Sequence, residues 1–119
     1  MGIEPLYLHD WDKIEDLKKD FELTDSELSG VNIILASYTF IAYEGLAFVL
    51  FEKNGRLYEV NGSHCSCYEL DGQWKPEEAD LKELRNRIIK GGLGKGCGGK
   101  DLFASKLLNV ISTLESKSY

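Results

Sequence analysis

The sequence predicts a single α+β domain spanning residues 1–119: a mainly antiparallel β-meander of three to four strands, packed with an N-terminal helix and two C-terminal helices. Three observations lead there. Helical periodicity marks one segment before a central apolar stretch and two segments after it. The central stretch is interrupted by Asn54-Gly55, the dipeptide best suited to the positive φ angles of a two-residue hairpin. The order helix, strands, helices suits helices laid on an antiparallel sheet, not the strand-helix alternation of a parallel one.

The elements follow in chain order. Trp11, Ile14, Leu17 and Phe21 recur at helical spacing, and Asp10 stands where a side-chain oxygen can accept from the first free amides, so a short amphipathic helix is expected from Asp10 to Phe21. Residues 24–30 are polar and turn-like, with room for a further helical turn. Residues 31–39 and 45–53 carry apolar side chains on both faces, which predicts central strands covered on both sides. Asn54-Gly55 then turns the chain into a third strand from Arg56. Asn61-Gly62 repeats the turn signal, so a second turn there is expected to lead into a strand over residues 63–70.

Further on, Trp74-Lys75-Pro76-Glu77-Glu78 reads as a helix start, because proline fits the first turn and acids complement the helix dipole. Leu81, Leu84 and Ile88 give that helix its buried stripe, and Gly91 can stop it. A glycine-rich loop from Gly91 to Gly99 leads to a last helix over about residues 101–116, with Phe103, Leu107, Val110, Ile111 and Leu114 on one face.

Composition narrows the function classes. With 43% apolar and 29% charged residues in 119, the chain lies far from the disordered regime and has the length for one core. The longest uncharged stretch, residues 31–43, is shorter than the roughly 20 residues of a membrane span. The first residues lack the basic and apolar regions of a secretory signal, and Leu6 stands where a myristoylation motif wants Ser or Thr. A cytoplasmic protein without membrane partners is therefore expected. In that compartment three cysteines do not form a disulfide framework, and Asn61-Gly62-Ser63 is not a glycosylation site.

His64, Cys65 and Cys67, together with Cys97, are the chain's candidate metal ligands, because zinc takes thiolate and imidazole in tetrahedral sites. In a regular strand Cys65 and Cys67 share one face and His64 takes the other, so a shared site needs a loop or bulge. Cysteines that are small core residues are the plainer alternative. Thiol catalysis would need a base in reach of Cys65 or Cys67; His64 points away from its neighbour, and His9 is the other imidazole. Gly94 to Lys100 matches the spacing of a phosphate loop, but it follows a helix instead of a strand, and Asp101 replaces the expected Ser or Thr.

Charge is bipolar behind a net value of -6: residues 10–27 hold eight acids against three lysines, and residues 82–106 hold seven bases against two acids. The basic end, with Arg85, Arg87, Lys90, Lys95 and Lys106, is a nucleic-acid contact candidate that a pI of 4.9 argues against. The acidic end either mimics a nucleic-acid backbone, docks on a basic partner, or is simply a solvated helix face. Tyr58, Tyr68 and Trp74 surround the meander and are interface anchors if exposed, sheet packing if not.

The run from Tyr58-Glu59-Val60-Asn61-Gly62-Ser63-His64-Cys65-Ser66-Cys67-Tyr68 through Glu69-Leu70-Asp71-Gly72-Gln73-Trp74-Lys75-Pro76-Glu77-Glu78 resembles small phage- and prophage-encoded proteins, and the similarity extends back through Ala47-Phe48-Val49-Leu50-Phe51, about the middle half of the chain. That family carries no catalytic assignment, so the resemblance transfers no site residue. It implies a bacterial host cytoplasm and an accessory, non-enzymatic factor that acts by binding a host protein, such as a defence component. The alternative from the residues is a small metal- or thiol-dependent enzyme centred on His64, Cys65 and Cys67.

Overall fold

A computed structural model describes residues 5–41, 44–64, 70, 72–95 and 101–116. The chain divides into two compact units, Met1–Glu78 and Ala79–Tyr119. The first holds β1 (Leu6–His9), α1 (Ile14–Phe21), α2 (Asp25–Leu28), β2 (Asn32–Ile41), β3 (Glu44–Lys53), β4 (Arg56–His64) and β5 (Glu77–Glu78); the second holds α3 (Leu81–Gly91) and α4 (Ala104–Ser116). The strands form one sheet in the order β1-β2-β3-β4-β5, parallel between β1 and β2 and antiparallel elsewhere. The class is α+β, with two more strands than the meander alone.

The hairpin forms where Asn54-Gly55 predicts it. Both residues take positive φ, 55° and 79°, and the Gly55 N–H donates to Glu52 Oε2 at 2.7 Å. A two-residue loop fixes the register: Lys53 faces Arg56, and each step back along β3 pairs with one step forward along β4, so Phe51 faces Tyr58 and Val49 faces Val60. β2 and β3 are central strands, and both of their faces are buried from Ile33 through Ala36 and from Ala47 through Phe51. A bulge between Ile33 and Leu35 inserts Ile34, which is how Ile33 and Ala36 come to share one face despite odd spacing.

On that face α1 packs through Leu17 and Phe21, with Trp11, Leu23, Val49, Phe51, Val60 and Leu70 completing the core. The reverse face buries Leu35, Phe48, Leu50 and Leu57, and also Ser37, Thr39 and Glu59. Asn61 Nδ2 donates to Glu59 Oε1 at 2.9 Å, giving one oxygen of this buried carboxylate a partner.

Three local readings of the sequence need correction. Asn61-Gly62 does not turn the chain: β4 continues through it, with Asn61 opposite Phe48 and Gly62 opposite Ala47. A ten-residue β3 offers ladder partners all the way to His64, and Gly62 serves packing instead, since a Cβ there would lie 3.1 Å from Leu70 Cδ2 and 3.4 Å from Phe21 Cε1. Glu77 and Glu78 do not open a helix but pair with Glu59 and Tyr58 as β5; α3 starts at Leu81, where Asp80 Oδ1 accepts from the Lys82 amide at 2.9 Å. Asp10 does not cap α1: its N–H donates to Tyr38 O at 3.0 Å as the parallel pairing of β1 with β2 runs out, and α1 starts only at Ile14, with Lys13 in the N-cap position. Asp16 does that work three residues into the turn, accepting from the Asp12 and Lys13 amides at 2.8 and 3.3 Å. The further turn expected over residues 24–30 is α2, where Thr24 and Glu27 cap each other reciprocally.

α1 ends on Glu22 at φ 56°, a left-handed position that costs a side-chain-bearing residue roughly 1 kcal/mol. Glu22 is exposed and glycine is free of that cost, so Glu22→Gly is expected to raise the stability of the first unit by about 0.5–1 kcal/mol. An unchanged or lowered urea midpoint would contradict the left-handed cap.

The second unit is a helix pair. α3 buries Leu81, Leu84 and Ile88 and closes on Gly92, one residue past the expected stop; α4 buries Ala104, Leu107, Ile111 and Leu114. Arg85 grips Glu115 with two hydrogen bonds of 2.7 and 2.6 Å between the helices. The guanidinium bonds favour the charged carboxylate and hold Glu115 below the usual range.

Candidate functional site

The hairpin register and the return of the chain at β5 build a cleft in the first unit. Phe51 near the end of β3 lies directly across from Tyr58 on β4, and their rings stack at 5.4 Å and 25°. After Leu70, whose carbonyl accepts from the Gln73 amide at 3.0 Å, the chain comes back along β4 and sets Trp74 over the same ring. Trp74 stacks on Phe51 at 5.6 Å and 11° and meets Phe21 edge-on at 5.3 Å. Phe51 is buried beneath its two neighbours, whereas Tyr58 and Trp74 are half-buried and pack against the core of the first unit.

Around these rings Val31, Pro76, Glu27, Lys53 and Asn54 complete a surface cleft of about 310 Å³, at the small end of ligand-sized sites. Its lining is apolar at the wall and polar at the rim. Glu27 stands on α2, with Oε1 accepting from the Thr24 N–H and hydroxyl at 2.9 and 3.3 Å. Lys53 and Asn54 belong to the hairpin end. A second hollow of similar volume is lined by Asn61, Gln73, Lys75 and Glu77.

The structure therefore brings Tyr58 and Trp74 together, out of the three aromatic residues singled out by sequence. Tyr68 lies outside the described residues, as do Cys65, Cys67 and Cys97, so their convergence with His64 is not described. The His64 backbone ends β4 opposite Gly45. Among the described residues no group of three or more His, Cys, Asp or Glu side chains is arranged to hold a metal ion. No helix among the described residues is long and apolar enough to cross a membrane.

Of the run with phosphate-loop spacing, Gly94 and Lys95 are described. The Gly94 carbonyl already accepts from the amides of Leu102, Phe103 and Ala104, at 2.8, 3.0 and 3.2 Å, just ahead of α4. Asp101 adds a carboxylate there, bonded by the Ser105 hydroxyl and held below its ordinary range chiefly by that bond. The amides of Leu102, Phe103 and Ala104 are thereby spent on a protein oxygen, while residues 96–100 of the candidate phosphate loop lie outside the described residues. The basic set is partly spent as well: Arg85 is paired with Glu115, and Arg87 lies 3.9 Å from Glu83. On the acidic side Lys18 pairs with Asp25, and this bond holds the Asp25 carboxyl below its usual range.

Sequence reasoning missed Phe51 as the floor of the cleft, although a signal existed. Once Asn54-Gly55 fixes a two-residue loop, Phe51 must face Tyr58. No comparable signal pointed to Glu27 or Pro76, which join through tertiary contact. No protein-family model, curated protein or solved structure matches this chain.

Proposed function

We propose that the protein is a non-enzymatic binding module, an accessory factor of the phage type that holds a segment of a host protein in the cleft at Phe51, Tyr58 and Trp74. One observation carries the reading: two half-buried aromatics from separate parts of the chain are stacked against one buried ring and line a small cleft. Tyrosine and tryptophan supply large contact area at small entropic cost and dominate the energetic centres of protein interfaces. Burying a third ring beneath them fixes their orientation before a partner arrives, which lowers the ordering cost of association.

The test compares capture from bacterial lysate by the wild type, Trp74→Ala and Lys53→Glu, with each variant's fold checked by circular dichroism. Truncating a central interface tryptophan costs about 2 kcal/mol or more, so the partner retained by the wild type should bind Trp74→Ala roughly 30-fold more weakly. Lys53→Glu changes the rim without touching the ring stack and should also weaken the complex. Equal binding by all three proteins would sink the proposal, as would measured turnover of a substrate.

A further inference from the structure

We propose that the cleft takes an extended, proline-containing peptide segment, with an arginine of that segment meeting Glu27. This inference rests on the binding-module reading and names its ligand. The first argument is shape. Trp74 and Tyr58 each stack on Phe51, at 11° and 25°, and the three rings line the cleft together with Val31 and Pro76, so its apolar lining is largely aromatic. Flat aromatic walls suit the pyrrolidine rings of a polyproline II segment, which is already extended before binding and loses little entropy.

The second argument is hydrogen-bond inventory. The lining residues offer more donor than acceptor groups: the Trp74 indole N–H and the Lys53 ammonium only donate, the Tyr58 hydroxyl and the Asn54 side-chain amide can do both, and Glu27 only accepts. A proline-rich segment is short of N–H groups and offers its carbonyls unpaired, so a donor-rich cleft matches it. Strand addition, the main competing mode, would instead need a row of free backbone donors and acceptors alternating along the site, and this cleft is walled by side chains.

The third argument is charge. Among the described residues Glu27 is the one acid on the lining, and it lies at the end of the stretch 10–27 with its eight acids against three lysines. A guanidinium arriving there finds a carboxylate and aromatic faces together, the pairing for which arginine is better suited than lysine. Lys53 at the hairpin end sets a polarity, since it repels a second cation and donates to a carbonyl.

The test follows the indole N–H resonance of Trp74, assigned with Trp74→Phe, while three short synthetic peptides are titrated in: one with spaced prolines and a terminal arginine, one with the prolines replaced by alanine, and one with the arginine replaced by glutamate. The first should shift the resonance saturably, and each of the other two should bind about tenfold more weakly, a difference of about 1.4 kcal/mol. Glu27→Gln should abolish the preference for arginine over glutamate while leaving the preference for proline. Equal affinity for the alanine peptide overturns the proline assignment, and equal affinity for the glutamate peptide overturns the Glu27 contact. If none of the three binds but a peptide selected from a random library moves the Trp74 resonance, the ligand class is wrong and the binding module stands. If no library peptide moves it, both fall.

Discussion

Trp11→Ala should destabilise the first unit by about 3–5 kcal/mol, the range for removing a buried tryptophan from a packed core. Trp11 is 1% exposed; its ring stacks on Tyr38 at 5.2 Å and contacts Phe21 at 5.9 Å. Its indole N–H donates to Asp20 Oδ2 at 2.7 Å, so alanine also leaves a part-buried carboxylate without that donor. Against a typical stability of 5–15 kcal/mol, such a loss brings the unit close to unfolding at ambient temperature. Trp11→Phe separates the contributions: it keeps a ring in the core, loses the hydrogen bond, and should cost roughly 1–2 kcal/mol. Urea titration followed by far-ultraviolet circular dichroism reads both variants, and a Trp11→Ala midpoint equal to the wild type would refute the packing.

Gly94→Ala should cost the second unit roughly 3 kcal/mol or more, and Gly92→Ala only about 1 kcal/mol, although both glycines have positive φ. The left-handed cost is common to the two, with φ at 83° and 76°. They differ in surroundings. A Cβ on Gly94 would lie 2.7 Å from Ala104 N and 2.8 Å from Ala104 Cα, both backbone atoms, whereas nothing lies within 4 Å of a Cβ on Gly92. Backbone cannot rotate aside as a side chain does, so the turn must open, and the Gly94 carbonyl then loses the three amides it accepts from. Thermal unfolding compares the pair of variants, and hydrogen exchange at Leu102, Phe103 and Ala104 locates the damage. Equal losses from the two substitutions would mean that the close approach at Gly94 does not exist.

The residues that were legible in sequence were those whose physics is local. Asn54-Gly55 specified its turn because few other residues tolerate positive φ twice in succession. Leu81, Leu84 and Ile88, and Leu107, Ile111 and Leu114, specified α3 and α4 because an apolar stripe at helical spacing has one way to be buried. The mistaken segments were those in which a local signal competed with a distant partner. Asn61-Gly62 carries the same dipeptide as the true turn, but β3 was long enough to keep pairing through it. Pro76-Glu77-Glu78 has the composition of a helix start, yet its backbone found Tyr58 and Glu59 at the sheet edge. β1 is four residues long and pairs in parallel with β2, across a connection that holds two helices, so no nearby turn signal announces it.

The same division holds for the candidate site. Composition and residue type were enough to select Tyr58 and Trp74, and the hairpin register alone places Phe51 against Tyr58. By itself, then, the sequence determined the α+β class, the hairpin, the two C-terminal helices and two of the cleft's aromatics, because periodicity and turn chemistry act over a few neighbouring residues. Only the tertiary structure decided that Trp74 closes over Phe51, that Glu27 and Pro76 join the rim, and that Gly94 sits against α4. Those outcomes depend on contacts between residues far apart in the chain, where the free energy of packing outweighs local preference and no spacing in the sequence records the result.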